Sequence, residues 1–332
     1  MSKLQKIQRF KLPVPTKGIT LKSEKDLVSS VRKAIFDFFA NQPERNGFIS
    51  ALAWLLFEKY NPNSTDVTWT LASCPICDEK NIPITHKMIE NDYTFKCTSK
   101  LCNGKIYLTD VFRLHEVIDN ELGASGILGY LTTAVEHLII IYLIKQIIAI
   151  KSDLLNETLF IRDGPLGFFG QTANIHKPMR KLIGYLQKHH SIFLVGIEKS
   201  GTFVEHAEQV SELFKTNQYA VLGNNYIYKY IMPEKSETNK PYASTSYFGH
   251  KVLFKSKDDN MYVATIACPE LFVEPEVSDL LNVEVLLKNI SALKCNLYSS
   301  SIIPVVLANK LVSLASHPSS DLLRAFAQNS IG

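Results

Sequence analysis

Apolar residues recur at three- and four-residue steps between Ser23 and Tyr60, at Val28, Val31, Ile35 and Phe38 and again at Ile49, Leu52, Leu55 and Leu56. That period predicts helices with one buried face. Ser23 followed by Asp26, and Asn46 ahead of Gly-Phe-Ile-Ser, stand where helices are expected to start, because a short polar side chain there can take up free amides of the first turn. Residues 66 to 109 change to short β-rich pieces, VTWTLA, YTFKC and KIYLT, set between cysteine pairs. From 111 the pattern is helical again, through VFRLHEVIDNEL and a long apolar segment ending at Lys151.

The next stretch alternates: a strand at 158 to 163, a helix at 175 to 189, a strand at 192 to 197 (IFLVGI) and a helix at 203 to 215. A βαβα order predicts a partly parallel sheet covered by helices. Further strands are expected at 225 to 231, 246 to 255 and 261 to 267, with closing helices near 281 to 293 and 303 to 315. The expected division is an N-terminal arm and helical region over 1–65, a cysteine module over 66–109, and an α/β domain over 110–332, the first 22 or so residues being a basic arm, disordered or docked elsewhere.

Composition changes this picture little. With 36 Lys and Arg against 32 Asp and Glu in 332 residues, the net charge of +4 requires any nucleic-acid contact to come from a local patch. MSKLQKIQRFKLPVP has scattered charges and no apolar core, so no signal peptide is read and the cytoplasm is expected. LIIIYLIKQIIAI at 138 to 150 contains Lys145 and is shorter than the roughly 20 apolar residues a membrane span needs. It reads as a buried helix, and no membrane partner is expected.

Four of the six cysteines form two close pairs, Cys74-Pro-Ile-Cys77 and Cys97-Thr-Ser-Lys-Leu-Cys102, nineteen residues apart. Two short-spaced thiolate pairs can close a tetrahedral zinc site with no further ligand, and such a site is structural because no position is left for water. Lys96, Lys100 and Lys105 lie on this zinc ribbon, either as a phosphate-binding face or as an ordinary solvated one. Cys268 and Cys295 stand alone in apolar surroundings and read as buried small hydrophobes.

Three carboxylates interrupt apolar runs: Asp110 after KIYL-Thr, Glu136 in TTAVEHLIII, and Asp163 at the end of LFIR. Hard divalent cations take oxygen ligands and are usually held by more than one carboxylate. Each acid also has an ordinary explanation. Asp110 can cap the helix expected to start at Val111, with or without a metal role; Glu136 can lie on the wet edge of its helix; Asp163-Gly164-Pro165 can be a plain turn.

FIRDGPLGFFG, followed after a helix by FLVGIEKSGTF, then by SYFGHKVLFKSKDDNMYVATIACPE and IIPVVLANKLVSLAS, resembles the NurA family of DNA-processing nucleases over roughly residues 108 to 316. The resemblance implies an RNase H-like mixed sheet with flanking helices. It also implies a Mn2+ or Mg2+ site built from Asp110, Glu136 and Asp163, with Glu116 in reserve for the first acid, and with Lys199 holding a phosphate oxygen. Lys251 is a further lysine suited to neutralising phosphate. By the same resemblance the partners are DNA, a HerA-type hexameric DNA-translocating ATPase and a second copy of the chain, and the roles are DNA-end processing or phage defence. No G-x-x-x-x-G-K-[ST] motif occurs, so the ATPase is expected on a separate chain.

The family's closing helix carries a Tyr and a His where this chain has Ser301 and Asn309, neither of which can carry a proton as a phenol or imidazole does. His250 or His317 is left for that role. The rival expectation is a zinc-bearing, catalytically weak or inactive DNA-binding adaptor of such a complex.

Overall fold

A computed structural model of the chain describes residues 10, 12–15, 20–119, 123–233, 239–293 and 302–307. The chain divides into two units, one formed by Met1–Phe160, Gly167–Ile192 and Ala243–Phe248, the other by Ile161–Leu166, Phe193–Tyr242 and Gly249–Gly332. Ser301, Asn309, His317 and Cys295 lie outside the described residues, as do most of the basic arm and the part of the last expected helix beyond residue 307.

In the first unit, α1 (Leu27–Asn41) starts where Asp26 accepts the Ser29 amide at 2.7 Å, and it buries Val31, Ile35, Phe38 and Phe39. Asn46, in the left-handed conformation with φ 60°, leads into α2 (Gly47–Leu56), a conformation that short polar residues tolerate best. The two helices meet through Phe39 and Phe48, ring centroids 6.3 Å apart. The cysteine region is a pair of hairpins. β1 (Thr68–Ser73) pairs antiparallel with β2 (Lys80–Thr85), and after a single turn, α3 (His86–Ile89), β3 (Thr94–Lys96) pairs antiparallel with β4 (Lys105–Tyr107).

The helix expected from residue 111 does not form. Two 3-10 turns, Leu108–Phe112 and Leu114–Val117, stand there instead, separated by Arg113 at φ 58°, which a continuous helix cannot contain. α4 (Leu128–Lys151) then runs for 24 residues. With its flanking turns it is long and apolar enough to cross a membrane by length and composition. It is nonetheless seated in the unit: Leu131, Ala134, Leu138, Ile141 and Ile144 are buried, Lys145 donates to Ser50 Oγ at 2.8 Å and Tyr142 to Glu44 at 2.8 Å. α5 (His176–His189) buries Met179, Leu182, Ile183 and Leu186.

The second unit holds a five-stranded mixed sheet in the order β5-β6-β9-β8-β7. β5 (Leu159–Asp163) ends in this unit beside β6 (Phe193–Glu198). α6 (Thr202–Gln209) follows β6 and stops earlier than its pattern predicts, giving way to a 3-10 turn at Ser211–Leu213. β7 (Tyr219–Val221) is the edge strand. The strand expected at 225 to 231 is helical: a short turn, α7 (Asn224–Tyr226), runs into a π-helical turn at Ile227–Ile231. Ile227 and Ile231, four apart, both enter the core with Phe203, Leu222 and Leu253, which fits a helical turn and not a pleat. β8 (Gly249–Lys255) and β9 (Met261–Ala267) pair antiparallel in the middle of the sheet and are buried at every position. α8 (Val283–Ala292) closes the described part. The coarse α/β architecture with a mixed sheet and a four-cysteine cluster is therefore present.

Candidate functional site

The hairpin ends bring Cys74, Cys77, Cys97 and Cys102 together, with all four sulfurs within 4.8 Å of one another and Cys77 and Cys97 at 3.7 Å. A tetrahedral ion with Zn–S bonds of about 2.3 Å spaces its sulfurs about 3.8 Å apart, so the quartet can bind a metal such as zinc. Backbone donors face the sulfurs. The Glu79 amide holds the Cys77 thiol below its ordinary pKa, and the Gly104 amide lies 3.4 Å from Cys102 Sγ. A Cβ on Gly104 would sit 3.2 Å from Cys102 Sγ and 2.2 Å from Ile76 Cδ1, the end of an exposed side chain that would have to turn aside. No second group of three metal-capable side chains is drawn together within either unit, among the described residues.

Asp110 is a buried structural anion. Its Oδ1 accepts from Arg32 Nε at 2.9 Å, and its Oδ2 accepts from Arg32 Nη2 at 2.7 Å and from the Tyr107 amide at 2.9 Å. The same guanidinium donates to the Lys105 carbonyl at 3.0 Å and lies over the Tyr107 ring, so it joins α1 to the end of the second cysteine hairpin. Asp110 does not cap a helix starting at Val111, as the sequence suggested; it is the third residue of the turn Leu108–Phe112, and its side chain reaches back to the Tyr107 amide that precedes that turn. Glu116 is similarly engaged, by Arg113 at 2.8 and 2.7 Å, and this fork outweighs partial burial to keep its pKa low. Glu136 is half-buried on α4, next to His137, which is buried against Phe168 with ring centroids 4.2 Å apart.

The second unit gathers charge at the ends of its strands. β5 delivers Asp163 to the surface, where Oδ2 accepts from Lys199 Nζ at 2.6 Å across 36 residues of sequence. The strand ends approach closely. Gly164, at φ 103°, donates its amide to the Ile197 carbonyl at 2.7 Å, and a Cβ on Gly196 would fall 2.4 Å from the Gly164 oxygen. Only glycine permits that approach. One step inward, Glu198 forms an ion pair with Lys251, whose ammonium is also 4.8 Å from the Phe203 ring centroid. Lys251 is buried, and burial lowers its pKa against the opposing pull of Glu198.

Of the two lysines expected to meet phosphate, Lys199 is therefore partly exposed and Lys251 is not. His250 is buried too, accepting the Phe272 amide at 3.2 Å. Sequence reasoning missed Arg32, Glu198 and Gly196. Glu198 was visible as the neighbour of Lys199, but the long-range pairing of Arg32 had no local sign.

Comparison of the chain with protein-family models, with curated proteins and with solved structures finds no match.

Proposed function

We propose that the chain is a divalent-cation-dependent nuclease of the NurA kind, with an RNase H-like core, that hydrolyses DNA phosphodiesters beside a HerA-type hexameric ATPase and works as a homodimer. The observation that carries this reading is the Asp163–Lys199 pair. The two residues belong to separate segments of the resemblance, Asp-Gly-Pro-Leu and Gly-x-x-Lys, and they meet at one exposed edge of a sheet.

A Mn2+ or Mg2+ ion would supply Lewis-acid stabilisation of a phosphate and an activated water. Asp163 suits it as an exposed carboxylate at a strand end. Asp110 does not fit as drawn, since its oxygens already accept three hydrogen bonds, two of them from a guanidinium. Glu136 belongs to the other unit and is left out of the site described for Asp163, and no reaction step is derived through the ion. What the chain itself supplies is Lys199, a cation held 2.6 Å from the Asp163 carboxylate, placed to neutralise a phosphate oxygen once Asp163 is otherwise engaged. Gly164 and Gly196 hold the two strand ends close enough for the pair to form. Zinc in the cysteine quartet is the structural ion of this proposal.

The engaged state of Asp110, Glu116 and Lys251 favours a second reading, a catalytically inactive DNA-binding adaptor. Incubating the protein with single-stranded and linear duplex DNA in Mn2+ or Mg2+, with and without the ATPase, separates them. The nuclease reading expects cleavage that Asp163→Ala abolishes. Cleavage that survives the substitution removes the site, and silence under every condition leaves the adaptor.

A further inference from the structure

We propose that the outer face of α5 is a docking rail for the sugar-phosphate backbone of a nucleic-acid duplex. The segment HKPMRKLIGYLQKH contains no acidic residue. Its buried face holds Met179, Leu182, Ile183 and Leu186, so the helix is firmly seated. Lys177, Lys181 and Lys188 are exposed. At about 100° per residue, Lys181 lies about 40° and Lys188 about 20° from Lys177 around the helix axis, which makes one stripe. Eleven residues of rise separate its ends by about 17 Å, the axial length over which one strand of a duplex presents about five phosphates.

The other cations of the helix are committed elsewhere: Arg180 donates to the Tyr247 carbonyl at 3.0 Å and the Ser244 carbonyl at 2.6 Å, and His176 is buried. Lys181 is paired with Glu58 at 2.6 Å, whereas Lys177 and Lys188 have no acidic partner among the described residues. No large apolar side chain of α5 is exposed, so the face offers nothing to insert into a bilayer. Tyr185, beside the stripe at about 80° from Lys177, already packs on Tyr60 at 5.2 Å and on His189 at 4.5 Å. It is poorly placed to stack an unpaired base, which favours a duplex over a single strand.

This inference deepens the nuclease reading by assigning substrate contacts in addition to Asp163. Its test is equilibrium binding of a labelled linear duplex, in an Asp163→Ala background without added Mg2+ or Mn2+. Lys177→Gln/Lys188→Gln touches only exposed, unpaired lysines. It is expected to reduce the slope of log affinity against log salt by about 1.8, so that binding falls about tenfold less between 50 and 200 mM salt than in the parent. Lys177→Arg/Lys188→Arg should bind as the parent does. An unchanged slope in the glutamine variant, no duplex binding by the parent, or equal dependence of single-strand or anionic-vesicle binding on these lysines overturns the proposal. Cleavage by the chain with Asp163 intact is measured separately; its absence would remove the nuclease reading and leave the rail standing.

Discussion

Arg32 and Asp110, 78 residues apart, form a bidentate ion pair with side chains 6% and 3% exposed. Such a pair is costly to bury and more costly to break, because removing one partner strands the other charge away from water.

Arg32→Ala and Asp110→Ala are therefore each expected to destabilise the protein by about 3–5 kcal/mol. The double replacement Arg32→Met/Asp110→Leu should recover most of that loss. Urea denaturation of the three variants checks this. A loss in Asp110→Ala below about 1 kcal/mol would mean that the pair is not held as described.

Asp163 and Lys199 present the opposite case, a partly exposed pair at 43% and 27%. Lys199→Met should change stability by less than about 1 kcal/mol, because solvent-exposed ion pairs contribute little. Nuclease activity should nonetheless drop by about a hundredfold to a thousandfold, the range for losing one electrostatic contact to a developing charge. Activity and thermal stability falling in proportion would make the pair merely structural.

Gly196→Ala places a Cβ 2.4 Å from the Gly164 oxygen and 2.9 Å from the Leu166 nitrogen. Both neighbours are backbone, so the strand ends must separate, at a cost of about 1–3 kcal/mol. The melting temperature should fall, with Asp163-dependent cleavage reduced even at temperatures where the variant stays folded.

The quartet of sulfurs predicts one tightly bound zinc ion per chain. Chelation, or Cys97→Ser, should remove it and lower the melting temperature by about 10 °C or more, since a structural ion contributes its binding energy to folding. Metal analysis of the purified protein, followed by a thermal melt, gives both quantities. A metal-free protein with an unchanged melt would refute a structural ion.

His176 predicts a pH dependence. Burial, with help from Arg180 and Lys177, lowers its pKa from 6.5 despite the hydrogen bond of its ring to the Ala173 carbonyl. Below that pH the unfolded chain takes up a proton that the folded chain refuses. Stability therefore declines as the pH falls through about 6.5 toward the folded value, by at most about 1.4 kcal/mol per pH unit from this residue. His176→Asn should flatten the decline in a series of urea melts.

The elements legible in the sequence were those with a strong single period. α1, α2 and α5 show clean three-to-four spacing, β8 and β9 long apolar runs, and the cysteines announced their cluster by spacing alone. The Ile-Tyr-Lys-Tyr-Ile segment failed because Tyr226, Tyr228 and Tyr230 satisfy a period of two as well as Ile227 and Ile231 satisfy one of four. Tertiary ties decide it: Asn224 accepts the Tyr242 amide at 2.8 Å and donates to the Lys240 carbonyl at 2.6 Å, anchoring the start of the turn. The break at Arg113 depends on a left-handed backbone that arginine seldom adopts, so composition gave no warning of it. The site was half legible. Asp163 and Lys199 stood out by motif, whereas the partners of Asp110 and Lys251 come from 78 and 53 positions away and leave no local trace.

The first unit is written in three pieces of sequence, the last of them residues 243–248. Arg180 finds its carbonyl partners at Ser244 and Tyr247 only in that final piece. On the ribosome the cysteine hairpins emerge early and can take up their ion, yet the unit that carries them stays open until residue 248 has left the exit tunnel. At that moment β8 and β9, the middle of the second unit's sheet, have still to emerge, so the first unit has all of its chain while the second still lacks its central strands.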